Sequence, residues 1–265
     1  MELQEYHTLF EVEDHHFWFR SLHEHVVRCL KDALKRCHAE HGRSMTGGAS
    51  PFVWAQGDTR TLRILDAGCG TGGLAAKLMT LGDVEAIDSS PLAIEYCKKR
   101  GIQNAHQADL NSLTLPENTY DVITCIDVLY HREIRDPASV LRMFQKALKP
   151  GGVLFLHLPA YESLRSAHDT RVHTGRRFRM SEAKKLLRDA GFEIQHASYR
   201  LMFLFLPIVI MRSISTRDDT AQRSDLQKIP LINAPLLWLS RMENALSRHV
   251  ALPFGVSLYA LARKL

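Results

Sequence analysis

Apolar positions along the chain follow two periods. From Leu22 to about Cys37 they recur at Leu22, Val26, Leu30 and Leu34, with Val27 and Ala33 beside them, which is one stripe on a helix. Beyond residue 61 short apolar runs alternate with helical patterns. Leu62–Ala67, Val84–Ile87, Ala105–Ala108 and Val122–Ile126 read as strands, and Leu74–Leu81, Pro91–Arg100 and Pro137–Leu148 as helices. Pro150-Gly151-Gly152 turns tightly into a fifth strand, Val153–Leu158. A helix over Ser181–Ala190 follows, with Ser181 as N-cap and Gly191 as its stop, and then a strand over Phe192–Tyr199. This rhythm predicts an α/β fold with a doubly wound, mostly parallel sheet covered on both faces.

Three stretches break the rhythm. Residues 1–41 combine an aromatic, histidine-rich start with the first helix and predict an N-terminal helical cap. Gly42–Thr61 collects Gly, Ser, Thr and Pro without periodicity and predicts an exposed loop. Residues 201–250 are apolar and proline-punctuated, and predict a largely helical insertion before a last strand at Val256–Ala262. The whole, 1–265, is expected to be one domain, with its core over 62–200 and 251–265. The insertion is expected to form a lid over an acceptor pocket, with enlargement of the core, a dimer interface or a membrane-surface contact as alternatives.

Composition adds limits. Of 265 residues, 45% are hydrophobic and 24% charged, the balance of a chain with a real core. A net charge of +5 suits an anionic partner, yet the basic residues fall in short groups such as Lys98-Lys99-Arg100 rather than in a stripe. Five cysteines without a C-x-x-C pair predict reduced thiols. The start, Met-Glu-Leu-Gln-Glu-Tyr, has no signal-peptide character, and the apolar run Leu201–Met211 is too short to cross a bilayer, so a cytoplasmic protein is expected.

The chemistry concentrates in Ile64-Leu65-Asp66-Ala67-Gly68-Cys69-Gly70-Thr71-Gly72-Gly73. Glycines at 68, 70 and 72 after a buried strand let the backbone turn sharply and approach a ligand, while the next helix aims its first N–H groups at it. Gly68, Gly70 and Gly73 also satisfy a dinucleotide pattern, so the turn alone does not choose among adenosine cofactors. Asp66 does discriminate: its charge would repel a pyrophosphate and attract an ammonium. Asp88, 22 residues further on, ends the second strand where a carboxylate can accept both ribose hydroxyls, with Ser89 beside it. Asp109 and Leu110 follow the third strand, where an adenine amine can be gripped.

This set, together with Leu148-Lys149-Pro150-Gly151-Gly152, resembles the class I S-adenosylmethionine-dependent methyltransferases, and within them the small-molecule group called type 11. The resemblance covers Leu62 to Leu158. It implies a seven-stranded Rossmann-like sheet, S-adenosyl-L-methionine as cofactor, and a cofactor site of Asp66, Gly68, Gly70, Gly72, Asp88, Ser89, Asp109, Leu110 and Ile126. His131, at the end of Cys125-Ile126-Asp127-Val128-Leu129-Tyr130-His131, matches a histidine usual in that group, either catalytic or simply packing at a helix start. The Asn- or Asp-Pro-Pro-Tyr stretch of nucleic-acid base methyltransferases is absent, so nucleic acid is not the expected partner. His15-His16-Phe17-Trp18-Phe19-Arg20 is similar to an N-terminal His-Trp-Trp-Phe motif in a subset of these enzymes. It implies that Trp18 and Arg20 close over the cofactor, or else that the segment clamps the first helix to the sheet.

For the reaction, His168, Asp169 and His173, with Tyr161, follow the fifth strand at the edge where ligands bind in this architecture; a histidine beside a carboxylate suits removal of a hydroxyl proton. No metal is expected, since ligands at recognisable spacing are lacking. The expected activity is methyl transfer to a small, partly apolar acceptor, most simply at oxygen, by a monomer or homodimer. C- or N-methylation of a lipid-like or lipid-linked acceptor, a nicotinamide oxidoreductase, and an inactive cofactor-binding subunit are the competing readings.

Overall fold

The computed structural model describes residues 3–43, 61–214 and 230–265. The predicted loop over Gly42–Thr61 therefore lies mostly outside the described residues. Two helices open the chain, α1 (Leu3–Val12) and α2 (Phe17–Arg43). Strands and helices then alternate: β1 (Leu62–Ala67), α3 (Gly73–Leu78), β2 (Gly82–Asp88), α4 (Pro91–Lys99), β3 (Ala105–Gln107), β4 (Tyr120–Ile126), α5 (Pro137–Ala147) and β5 (Leu148–Pro159). A short α6 (Ala167–Arg171), α7 (Met180–Asp189) and β6 (Phe192–Arg200) follow. The chain ends with α8 (Met202–Ile214), α9 (Pro230–Ser247) and β7 (Ser257–Lys264).

The strands form one seven-stranded sheet in the order β3-β2-β1-β4-β5-β7-β6. The first five pair parallel, while β7 runs antiparallel between β5 and β6. Strand order reverses at β1, so β1 and β4 diverge at their carboxyl ends and open the crevice where this architecture takes ligands. Side-chain alternation divides the core: Leu65, Ile123 and Leu154 pack toward α5 and α7, while Ile64, Val122 and Phe155 pack toward α2 and α3. By the same alternation Asp66 shares the face of Ile64.

Local chemistry explains the helix ends. The Asp136 side chain accepts the Ala138 N–H at 2.9 Å, and Pro137 fills the first turn of α5, whose stripe Val140, Leu141, Phe144 and Ala147 is buried. Two readings of boundaries are corrected. The second helix begins at Phe17, not Leu22: its first turn buries Phe17 and the polar Ser21, so the apolar stripe alone does not mark its start. Ser181 is not an N-cap: α7 starts one residue earlier, and the Glu182 carboxylate accepts the Arg179 N–H at 2.7 Å. Cys29, Cys69, Cys97 and Cys125 are buried free thiols, as read from their spacing.

Candidate active site

One cavity of about 1140 Å³ lies at the carboxyl edge of β1, β2, β4 and β5, roofed by α1, the start of α2 and α8. Its floor is the turn after β1. The Gly68 and Cys69 N–H groups donate to the Ile87 carbonyl at 2.8 and 2.9 Å, drawing the turn against the end of β2. Gly68 has φ of 79°, and a Cβ there would lie 2.1 Å from the Val128 side chain, so only glycine fits.

Four carboxyl groups stand around this turn. Asp88 accepts the Gly70 N–H at 3.0 Å, the Ser90 N–H at 2.9 Å and the Tyr6 hydroxyl at 3.4 Å, which ties α1 to the end of β2. Burial and the nearby Asp88 push the Tyr6 hydroxyl's pKa upward. Asp66 accepts the Thr124 hydroxyl through Oδ1 at 2.7 Å, while its buried Oδ2 has no hydrogen-bond partner among the described residues. Burial raises the Asp66 pKa to about 7. Glu13 comes down from the α1–α2 junction onto the start of α3, where a Cβ on Gly73 would meet its carboxyl carbon at 2.2 Å. It accepts the Thr71 hydroxyl at 2.5 Å, pairs with Arg100 at 3.1 Å and lies 3.8 Å from His23. Burial raises the Glu13 pKa and holds the His23 pKa well below its usual value. Asp109 accepts the Asn111 backbone and side-chain N–H groups, both through Oδ1, at 2.9 and 2.7 Å.

This donor set fits S-adenosylmethionine. A buried carboxylate oxygen without a partner, next to a glycine turn, suits an ammonium group. The carboxylates of Asp88 and Asp109 line the same cavity toward β2 and β3, where hydroxyl and amine donors of an adenosine can reach them.

The other end of the cavity is built differently. Phe17, Trp18 and Leu22 from α2, Leu204 and Ile208 from α8, and Val256 give it apolar walls. At the join with the polar end stands Asp127, directly after β4 at φ of 54°, a left-handed conformation uncommon outside glycine and frequent at functional positions. Its carboxylate is about one-third exposed, with a side-chain accessibility of 32%. The buried His157 on β5 holds it: Nδ1 lies 2.9 Å from Asp127 Oδ1, and Nε2 lies 3.0 Å from Ser257 Oγ. The Asp127 N–H also donates to the His157 carbonyl at 3.1 Å. The ring is thus locked between a carboxylate and a hydroxyl, while the Asp127 carboxylate stays partly open to the cavity that it lines.

Of the residues expected from sequence, Trp18, Asp66, Gly68, Gly70, Asp88, Ser89, Asp109, Leu110 and Ile126 line the cavity, as do His131 and His173. Arg20 and Gly72 do not. Arg20 shares the outer face of α2 with Glu24 and Arg28, and Gly72 turns under Ile102 and Cys97. Asp169 and Tyr161 are also outside it. Asp169 is buried, accepts the Ser166 N–H at 2.7 Å and pairs with Arg177 at 3.0 Å, which lowers its pKa and commits it to holding a loop. Tyr161 stacks on Tyr199 with ring centroids 5.2 Å apart. The His168 side chain lies outside the described residues. His173 engages Glu133 at 2.6 Å, and burial lowers the His131 pKa. Phe203, in the first turn of α8, packs against the Leu164, Leu201 and Val256 cluster, and Trp238 is exposed on α9; neither lines the cavity, which the insertion reaches through Leu204, Ile208 and Met211 of α8. Among the described residues no group of three or more His, Cys, Asp or Glu side chains converges as metal ligands. Sequence reading missed Tyr6, Glu13, His23 and Asp127 as site residues. Among them Asp127, four residues before the histidine that ends the Cys125–His131 stretch, carried a local signal.

Comparison with known proteins points the same way. A family model described as a methyltransferase domain matches residues 16–197. The ubiquinone biosynthesis O-methyltransferase of Xanthomonas oryzae pv. oryzae is 33% identical over 112 residues, covering 40% of this chain and 46% of that protein. Its counterpart from Marinobacter nauticus is 31% identical over 156 residues, covering 50% and 64%. The matches thus span about half of those relatives' length. An S-adenosylmethionine-dependent methyltransferase of Mesorhizobium loti superposes with a TM-score of 0.52 at 20% identity, over 77% of this chain and 91% of that one. One from Thermotoga maritima gives 0.50 at 18%, over 78% and 84%. Both share the fold.

Proposed function

Because the chain belongs to the methyltransferase-domain family and is an S-adenosylmethionine-dependent enzyme, we propose that it methylates a hydroxyl oxygen of a small, partly apolar acceptor seated between α2 and α8. The observation that carries this reading is the Asp127–His157 pair at the join of the polar and apolar ends. Bound S-adenosylmethionine supplies an electrophilic sulfonium methyl group. Asp66 and Glu13 lie where the amino-acid part is held, and Asp88 and Asp109 where the nucleoside is held. The aromatic wall excludes water and orients the acceptor. Asp127 accepts a hydrogen bond from the acceptor hydroxyl and takes its proton as the oxygen–methyl bond forms, while His157 fixes the carboxylate in place. The curated O-methyltransferase relatives support oxygen as the target. His131 and His173 remain candidates for contacts to the acceptor.

The test is kinetic. Asp127→Asn keeps size and hydrogen bonding but loses the base, so kcat should fall by about a hundredfold or more. Affinity for S-adenosylhomocysteine should stay within about twofold of the parent. Normal turnover in that variant would remove Asp127 from the reaction.

A further inference from the structure

Helix α9 is inside out. A helix lying on a water-soluble protein buries its apolar stripe and shows polar residues to solvent. Here, Leu237 apart, the buried face is polar. Asn233 accepts the Phe17 N–H at 2.8 Å and donates to the His15 carbonyl at 2.9 Å. Asn244 accepts from the fully buried Arg200 at 3.1 Å and donates to the Ser21 carbonyl at 2.9 Å. Glu243 accepts the Leu201 and Phe203 N–H groups, which caps α8. The outward face instead carries Leu231, Ile232, Trp238, Leu239, Met242 and Leu246, all exposed. The hydrogen bonds fix the rotation of the helix, so this apolar face is held outward.

Two neighbouring features say what covers it. The first is charge. On α2, against which α9 packs, Arg20, Arg28, Lys31 and Lys35 share one face with Glu24, spaced as i, i+4, i+8, i+11 and i+15. Glu24 is engaged by Arg241 of α9 at 2.7 Å through both oxygens, and Asp32 by Arg248 at 3.3 Å. A basic strip therefore runs beside the apolar one. The second is continuity with the cavity. Helix α8 exposes Leu206, Ile210 and Met211, and Met211 belongs to the cavity wall together with Leu204 and Ile208.

We propose that the α2–α9 face docks on an anionic lipid bilayer, with α8 at the cavity mouth, so that the acceptor is an amphiphile taken from the membrane. This deepens the reading of an apolar acceptor and rests on it. Apolar side chains around Trp238 enter the headgroup boundary while the Arg28–Lys35 strip meets lipid phosphates. A second copy of the chain fits less well, because a two-fold interface on this patch would set the basic strip against itself. Spanning is a separate matter: among the described residues no helix is long and apolar enough to cross a membrane.

The test is flotation of the full chain with vesicles of phosphatidylcholine alone or of equal parts phosphatidylcholine and phosphatidylglycerol. The protein should float with the anionic vesicles and much less with the neutral ones. The double variant W238S/M242S should lose about tenfold or more in partition, and the charge variant K31E/K35E should lose a similar amount, with both binding S-adenosylhomocysteine as the parent does. A parent that stays at the bottom with anionic vesicles overturns the proposal. So does a W238S/M242S protein that floats normally, or a parent dimer that this variant splits without any vesicle binding. Failure of the parent to bind S-adenosylhomocysteine would count against the methyltransferase reading instead, and flotation would still decide the docking.

Discussion

At one end of the cavity the ligand-facing groups are backbone amides and carboxylates on the rigid edge of the sheet. At the other they are aromatic and aliphatic side chains on helices from the chain's beginning and from its last third. The polar end is held from several directions at once: Asp88 alone joins Gly70, Ser90 and Tyr6. The apolar end is held by packing, through Leu204 and Ile208 on a helix that contains Pro207. The difference teaches how one fold serves a fixed cofactor and a variable acceptor. Directional contacts to preset backbone suit a ligand that never changes, whereas an apolar wall adapts with a few substitutions.

Breaking the polar end should cost most after loss of the base at Asp127. Asp88→Ala removes a charge-assisted contact and releases the Gly70 N–H. Calorimetry with S-adenosylhomocysteine should show about a hundredfold weaker binding, of order 2–3 kcal/mol. Unchanged affinity would take Asp88 out of the site.

Next comes a pH effect at Asp66. Its pKa in the unliganded protein is raised by burial to about 7, so the protonated form is favoured there and the stability it lends is lost as pH rises from about 4 to about 7. An ammonium bound at Oδ2 pulls that pKa back down, so binding expels a proton. Affinity for S-adenosylhomocysteine should therefore rise with pH between about 5 and 7, by up to about tenfold per unit, and level off above. Asp66→Asn should flatten the profile. A profile with the same slope in the variant would place the ammonium elsewhere.

The smallest expected effect separates the two helices after β6. Ile208→Ala should raise the acceptor KM several-fold, about 1–2 kcal/mol, without altering cofactor affinity. Trp238→Ala should leave the KM for a water-soluble acceptor unchanged, since Trp238 is outside the cavity. The reverse ranking would mean that α9, not α8, walls the acceptor.

What was legible in sequence follows from range. The turn at Gly68–Gly72 and the aspartates closing β2 and β3 are local: strand, turn and helix are written within a few residues of each other. The last strand, β7, was legible as an apolar run after the insertion, and the resemblance supplied its place as the seventh of the sheet. Glu13 was not, because its partners Thr71 and Arg100 are 58 and 87 residues away and only the packing of α1 brings them together. Asp127 and His157 meet because the register of β4 and β5 pairs Ile126 with His157, which no single segment records. Asp169 misled for the opposite reason. Nearness to His168 and His173 in sequence suggested a catalytic group, but Arg177, eight residues on, claims the carboxylate inside the loop. The apolar run over 231–239 signalled a covered surface without saying which way the helix faces; the polar residues spaced between decided that.

The central claim, methyl transfer to an acceptor hydroxyl in the apolar end, is tested most directly by the atom that receives the methyl group. Turnover of phenolic and prenylated-phenol acceptors with S-adenosylmethionine carrying a ¹³C methyl, followed by NMR of the product, should show the label in a methoxy group, and Asp127→Asn should nearly abolish that product. A label found on nitrogen or carbon would contradict the account.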